Sequence, residues 1–157
     1  MSKYYAALTF CLLSFCALAQ SGSHAEFLKS VGGAMIVRNI DSAEKWYASV
    51  FAIPVVSRSN DPNGEYKVVI MEGSDIILEL LQLRSSINKK SVLEHKADGT
   101  QVTGHFKLAF RTTNMNLLLS RLEDAQIKVP RVWTNDETGK RNFIIEDPDG
   151  NLIQFLE

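Results

Sequence analysis

One order of elements occurs twice in this chain, and an internal repeat constrains a fold more tightly than any single motif. Residues 32–37 form a short apolar run of strand character, after which Asn39-Ile40-Asp41 supplies N-cap chemistry, with Asp41 and Glu44 spaced as a capping box. The helix that follows carries Ala43, Trp46, Tyr47, Val50 and Phe51 at helical spacing, so one face packs onto a sheet. Residues 53–58, 66–71 and 76–83 then read as strands, broken by Asn60-Asp61-Pro62-Asn63-Gly64 and by Glu72-Gly73-Ser74-Asp75. The second half repeats the order. Residues 105–110 read as a strand, Asn114 caps a helix bearing Leu117, Leu118, Leu122 and Ala125, and 128–133, 141–146 and 152–156 read as strands. Asn39 matches Thr112, and Glu79 matches Gln154 at nearly the same separation. The expectation is an α+β fold of two tandem βαβββ modules, module one over about 31–83 and module two over about 104–157. Residues 84–103 between them are polar and without periodicity, a connection long enough to be functional, such as a segment closing over a cleft.

The first 19 residues stand apart from this pattern. Lys3 gives a positive start, residues 4–16 are almost wholly apolar, and Ala17-Leu18-Ala19 places small residues where a signal peptidase needs them, so 1–19 reads as a secretory signal peptide cut before Gln20. The apolar run is shorter than the roughly 20 residues a membrane span needs, and no second one follows to stop transfer. Lipidation at Cys16 is disfavoured by the bulky Phe15 before it. The expected product is exported, periplasmic or secreted, and free of the membrane once the signal is removed. Both cysteines, Cys11 and Cys16, fall in the removed segment, which excludes disulfides, cysteine catalysis and thiolate metal sites from the mature chain. Residues 20–157 are the size of one domain with a real core. With 17 Lys and Arg against 18 Asp and Glu and no basic stripe, nothing favours nucleic acid or anionic lipid as a partner.

The doubled βαβββ order, Asn-Ile-Asp-Ser-Ala-Glu-Lys-Trp-Tyr (39–47) after the first strand, Gly104-His105 opening the second half and Asp-Pro-Asp-Gly-Asn (147–151) before the last strand together resemble the vicinal oxygen chelate superfamily. This is the group of glyoxalase I, bleomycin-resistance proteins, fosfomycin-resistance enzymes, extradiol dioxygenases and methylmalonyl-CoA epimerase. The resemblance covers nearly all of residues 20–157, and the terminal turn and strand are its most specific motif. It implies one glyoxalase-like domain whose curved sheets form an open, cupped cleft, with metal ligands on the first and last strands of each half.

Four positions match that ligand pattern: Gly32, Glu79, His105 and Gln154. Glycine cannot ligate, so the resemblance leaves Glu79, His105 and Gln154 as the metal set, with Glu79 and His105 as the catalytic groups. A carboxylate, an imidazole and an amide oxygen suit a divalent Zn, Ni, Mn or Fe ion, although one negative charge compensates it poorly. The alternative is no metal at all. The carboxylate in Ile76-Ile77-Leu78-Glu79-Leu80-Leu81 needs a partner, and Lys107 could supply it. By alternation Lys107 and Arg111 share a face with His105, and Ile36 and Leu81 line the cleft beside Ala34, Ile77, Ala109, Leu152 and Leu156. The resulting substrate cleft of Lys107, Arg111, Ile36 and Leu81 is mainly apolar, as small-molecule sites are. Tyr66, Trp133 and Phe143 serve either as stacking partners or as ordinary core, and His24 and His95 read as solvated.

Two functions follow from different classes. A metal-dependent lyase or isomerase would hold two substrate oxygens on the ion and move a proton through Glu79 or a bound water. A metal-free binder resembling bleomycin-resistance proteins would sequester a small molecule, and it accommodates Gly32 and Gln154 without difficulty. Export also fits poorly with glutathione- or coenzyme A-linked chemistry, whose cosubstrates are cytoplasmic. A third reading has the protein act through a surface or as a homodimer, although no exposed apolar stripe in the sequence demands it.

Overall fold

The computed structural model describes residues 31–97, 100 and 104–157. The expected signal segment, both cysteines and His24 lie outside the described residues. Two four-stranded sheets carry the chain: β1 (Val31–Ile36), β4 (Ile76–Leu83), β3 (Tyr66–Glu72) and β2 (Val55–Asn60) in that order, and β5 (Lys107–Arg111), β8 (Leu152–Leu156), β7 (Arg141–Glu146) and β6 (Val132–Thr134) in the same order. In each sheet the first strand pairs parallel to the last, with Ala34 beside Glu79 in one and Ala109 beside Gln154 in the other. The remaining pairs are antiparallel. The repeat read from the sequence is therefore a repeat of strand register.

The helices α1 (Ile40–Phe51) and α3 (Met115–Asp124) follow β1 and β5. Each begins at an asparagine, Asn39 Oδ1 accepting from the Ser42 N–H at 2.9 Å and Asn114 Oδ1 from the Leu117 N–H at 3.0 Å. Gln82 of β4 holds the start of α1 as well, its Oε1 accepting from the Ile40 N–H at 2.8 Å. The expected Asp41/Glu44 capping box does not form, because the N-cap is Asn39, which puts Asp41 inside the first turn, and Glu44 pairs with Arg58 of β2. One further short helix, α2 (Lys89–Leu93), lies in the connection between the modules.

Both helices pack into a single apolar core. Tyr47, Leu122, Met71, Leu78, Leu80, Phe143, Ile145 and Ile153 are essentially inaccessible, and burying each such side chain stabilises by about 1.5–3 kcal/mol. Phe51 of α1 reaches across the modules, its ring centroid 4.8 Å from that of Phe110 and 5.7 Å from that of Phe155. Arg121 of α3 donates from Nη2 to the Ser49 carbonyl of α1 at 3.0 Å. Phe143, one of the candidate stacking residues, belongs to this core, and Trp133 packs against it while Tyr66 is exposed.

Two strands, β5 and β6, are shorter than the periodicity suggests and β2 is displaced towards the C-terminus, each for a local reason. β2 begins after Ala52, which closes α1 in the left-handed conformation, and after Pro54, which cannot donate to a ladder. β6 contains only three residues, since Pro130 keeps the segment before it from the sheet. β5 begins at Lys107 because its first pairing partner, Leu152, is also the first residue of β8. His105 therefore precedes the strand rather than lying on it.

Candidate functional site

The Asp147-Pro148-Asp149-Gly150-Asn151 turn is built around one carboxylate. Asp147 is buried and accepts four hydrogen bonds: on Oδ1 from the N–H groups of Asp149 at 2.9 Å and Asn151 at 2.8 Å, and on Oδ2 from Asn151 Nδ2 and Tyr47 Oη, both at 2.8 Å. Gly150 takes the positive φ of 84° that the turn requires. Burial, reinforced by the Asp147 charge and hydrogen bond, holds the Tyr47 phenol far above its ordinary range. Helix α1 is thereby fastened to the second module. Asp149 faces the other way, accepting from Arg38 Nε at 2.6 Å and from the Arg38 N–H at 3.1 Å, so the same turn also holds the residue that follows β1 closely.

The most specific sequence motif is thus a structural clasp, and the faces it aligns carry the expected ligand positions. On β4, Leu78 and Leu80 point into the core, while Ile77, Glu79 and Leu81 are half-buried on the opposite face. On β8, Ile153 and Phe155 enter the core while Leu152, Gln154 and Leu156 occupy the opposite face. Cross-strand register puts Ala34 and Ile70 beside Glu79, and Ala109 and Ile144 beside Gln154. Neither the Glu79 nor the Gln154 side chain makes a hydrogen bond or ion pair among the described residues. The Lys107–Glu79 ion pair considered from the sequence does not form: the two residues belong to different sheets, and Lys107 has no ion-pair partner among the described residues. Arg111 instead donates from Nη1 to the Glu157 carbonyl at 3.0 Å.

A cavity of about 640 Å³ lies where the edge strands β1 and β5 approach one another. The approach is close enough that a Cβ on Gly33 would stand 3.3 Å from Leu108 Cδ1. Of the residues proposed from the sequence, Gly32, Ala34, Ile36, His105, Lys107 and Leu152 line this cavity, whereas Glu79, Gln154, Arg111, Leu81, Ile77, Ala109 and Leu156 do not. The connection contributes 86–89, so part of the 84–103 segment borders the space. Arg38, Lys89, Phe106 and Leu108 were not singled out by sequence reasoning. The strand pattern could have pointed to Phe106 and Leu108 as neighbours of Lys107, but nothing in the sequence marks Lys89 or predicts the Arg38–Asp149 link. His95 is exposed, as expected.

Among the described residues no group of three His, Cys, Asp or Glu is arranged to hold an ion. Gly32 contributes no donor, Glu79 and Gln154 each occupy the outward face of a different sheet, and His105 stands beside the cavity. Strand register adds that Gly32 sits opposite Ile77 as Lys107 sits opposite Leu152, so Lys107 is the positional counterpart of Gly32. An ammonium at that point disfavours a cation and favours an anion.

Comparison with known proteins agrees with the doubled architecture. Residues 25–155 match the family model of the Glyoxalase/Bleomycin resistance protein/Dioxygenase superfamily. The solved structure of SMU.1112c is 25% identical with a TM-score of 0.66, covering 83% of this chain and 99% of that one. A glyoxalase family protein from Enterococcus faecalis is 16% identical with a TM-score of 0.66, covering 85% and 98%. A lactoylglutathione lyase from Agrobacterium tumefaciens is 21% identical with a TM-score of 0.57, covering 81% and 91%. The last two similarities establish shared fold alone. No curated protein matches the chain. With the family model spanning nearly the whole of both modules, this chain belongs to the glyoxalase/bleomycin resistance protein/dioxygenase superfamily.

Proposed function

We propose that this chain is an exported small-molecule-binding protein that takes its ligand in the cavity between β1 and β5. The observation that carries the reading is the cavity itself: its volume of about 640 Å³ falls in the range of small-molecule sites, and its wall is mainly apolar with a few polar groups. Membership of the superfamily supports a small organic ligand. Export is supported by the residues 1–19 pattern alone. Recovery of a product beginning at Gln20 from the periplasm or medium would bear it out, and an uncleaved cytoplasmic chain would refute it. Ligand binding is tested by screening small organic molecules by protein-observed NMR. Hits whose shift changes cluster on β1, β5 and 86–89 support the reading, and a screen whose hits all map elsewhere refutes it.

A second reading, a metal-dependent lyase or isomerase, is favoured by one observation. The Glu79 carboxylate is half-buried among apolar neighbours and lacks a protein partner among the described residues, an arrangement that costs stability unless something pairs with it. Chelator-treated protein titrated with Zn²⁺, Ni²⁺, Mn²⁺ and Fe²⁺ by calorimetry, beside the Glu79→Gln/His105→Ala variant, tests this. One tight equivalent lost in the variant would justify assays for lyase, isomerase and dioxygenase chemistry. The absence of tight binding by a folded protein would leave the metal-free binder.

A further inference from the structure

We infer that the ligand of the β1/β5 cavity is an amphipathic anion, an apolar body bearing a carboxylate or similar charged group; this rests on the binding function proposed for the cavity. Charge in the wall is unevenly committed. Of the ionised side chains lining it, Arg38 and Asp149 neutralise one another through the 2.6 Å contact between Nε and Oδ1. Lys89 and Lys107 remain, with no ion-pair partner among the described residues, and among those residues the only carboxylate in the lining is the one Arg38 already occupies. The chain as a whole carries a formal net charge of −1, so this excess of positive charge is local rather than a reflection of composition.

The two ammonium groups arrive from independent elements, Lys107 at the first position of β5 and Lys89 at the first position of α2, and His105 stands beside Lys107. Apolar surface accompanies them. Ile36, Ile87 and Phe106 also line the cavity and are 53%, 77% and 59% exposed, which is unusual for side chains of this size unless a ligand or partner covers them. A neutral apolar ligand would cover that surface but leave both lysines without a partner. A small inorganic anion would meet the lysines but leave the apolar wall in water. A single ligand with an apolar body and one anionic end satisfies both, and lysines at a half-open mouth suit it because their stems follow apolar surface while the charge stays near solvent.

The test uses two matched pairs of probes that differ only in charge: octanoate with octanamide, and naphthalene-2-carboxylate with naphthalene-2-carboxamide. Dissociation constants are measured by NMR titration on the full chain at low and high salt. The anion of at least one pair should bind about tenfold more tightly than its amide, with the advantage shrinking in salt. In Lys89→Gln/Lys107→Gln the advantage should fall to near unity while amide affinity is retained. Both substitutions are at exposed positions, and retained amide binding shows that the variant is folded. Equal affinity for anion and amide in the wild type would overturn the anionic ligand but leave the cavity as a binding site. An anion advantage that survives in the variant would overturn the roles of Lys89 and Lys107. Failure of all four probes to perturb β1, β5 or 86–89 would overturn both the inference and the binding function on which it rests.

Discussion

Replacing Asp147 with alanine perturbs the clasp on which the placement of the second module depends. The substitution strands four donors at once: two backbone N–H groups, Asn151 Nδ2 and Tyr47 Oη. Hydrogen bonds to a charged group contribute about 1.5–3 kcal/mol each, but the four are not additive. The turn residues Asp149 and Asn151 are only half-buried and recover water, whereas Tyr47 is fully buried and its hydroxyl does not. A net loss of about 3–5 kcal/mol is expected, against a total stability of about 5–15 kcal/mol for a domain. At about 4 °C per kcal/mol this lowers the Tm by roughly 12–20 °C. Tyr47→Phe removes one donor while the carboxylate keeps three, so it should cost about 1–2 kcal/mol. In the Asp147→Ala background the same change should cost almost nothing, since its partner has gone. Urea unfolding of the four proteins, followed by circular dichroism, measures that coupling. Costs that add to within about 0.5 kcal/mol would refute a clasp that works through the Tyr47–Asp147 contact.

Three other outcomes are expected. A Cβ on Gly73 would lie 2.9 Å from Ile53 Cγ2 and 3.2 Å from Ile76 Cγ2, so Gly73→Ala should destabilise by about 1–3 kcal/mol in chemical denaturation. Hydrogen bonds from the Arg141 side chain and N–H lower the Glu157 pKa from 4.5 to about 2. Because the folded value is the lower one, the pairing stabilises above pH 4.5 and is lost as pH falls towards 2. Carboxyl NMR of Arg141→Gln should show the Glu157 midpoint returning towards its ordinary value, and an unmoved midpoint would rule out the pairing as its cause. Finally, a Cβ at Gly32 meets nothing closer than 3.6 Å, so Gly32→His should fold. If Glu79 and His105 form a metal set, calorimetry should show this variant gaining at least tenfold in Zn²⁺ affinity; an unchanged affinity counts against the metal reading.

Local chemistry made much of this protein legible. The two β-α-β-β-β runs, the asparagine caps at Asn39 and Asn114 and the alternation that separates Leu78 and Leu80 from Glu79 each depend on residues close in sequence, and they reappear as elements, caps and faces. Element ends were less legible. The start of β5 depends on where β8 can pair with it, and that removes His105 from the strand although its own neighbours read as one.

Propensity, capping and alternation act over a few residues, so the doubled module and the polar turn at 147–151 were legible in the chain, whereas the register that makes Ala34–Glu79 and Ala109–Gln154 equivalent, and Lys107 rather than His105 the counterpart of Gly32, came from strand pairing. Long-range packing selects which of those positions share a space. It joined Tyr47 to Asp147 and Arg38 to Asp149 across more than half the chain, and it brought β1, β5 and 86–89 around one cavity. It also left Lys107 without Glu79 as a partner. The physical reason is that burying the apolar faces of two sheets and two helices in one core fixes how the modules lie against each other. That packing, rather than any local pattern, sets which side chains meet.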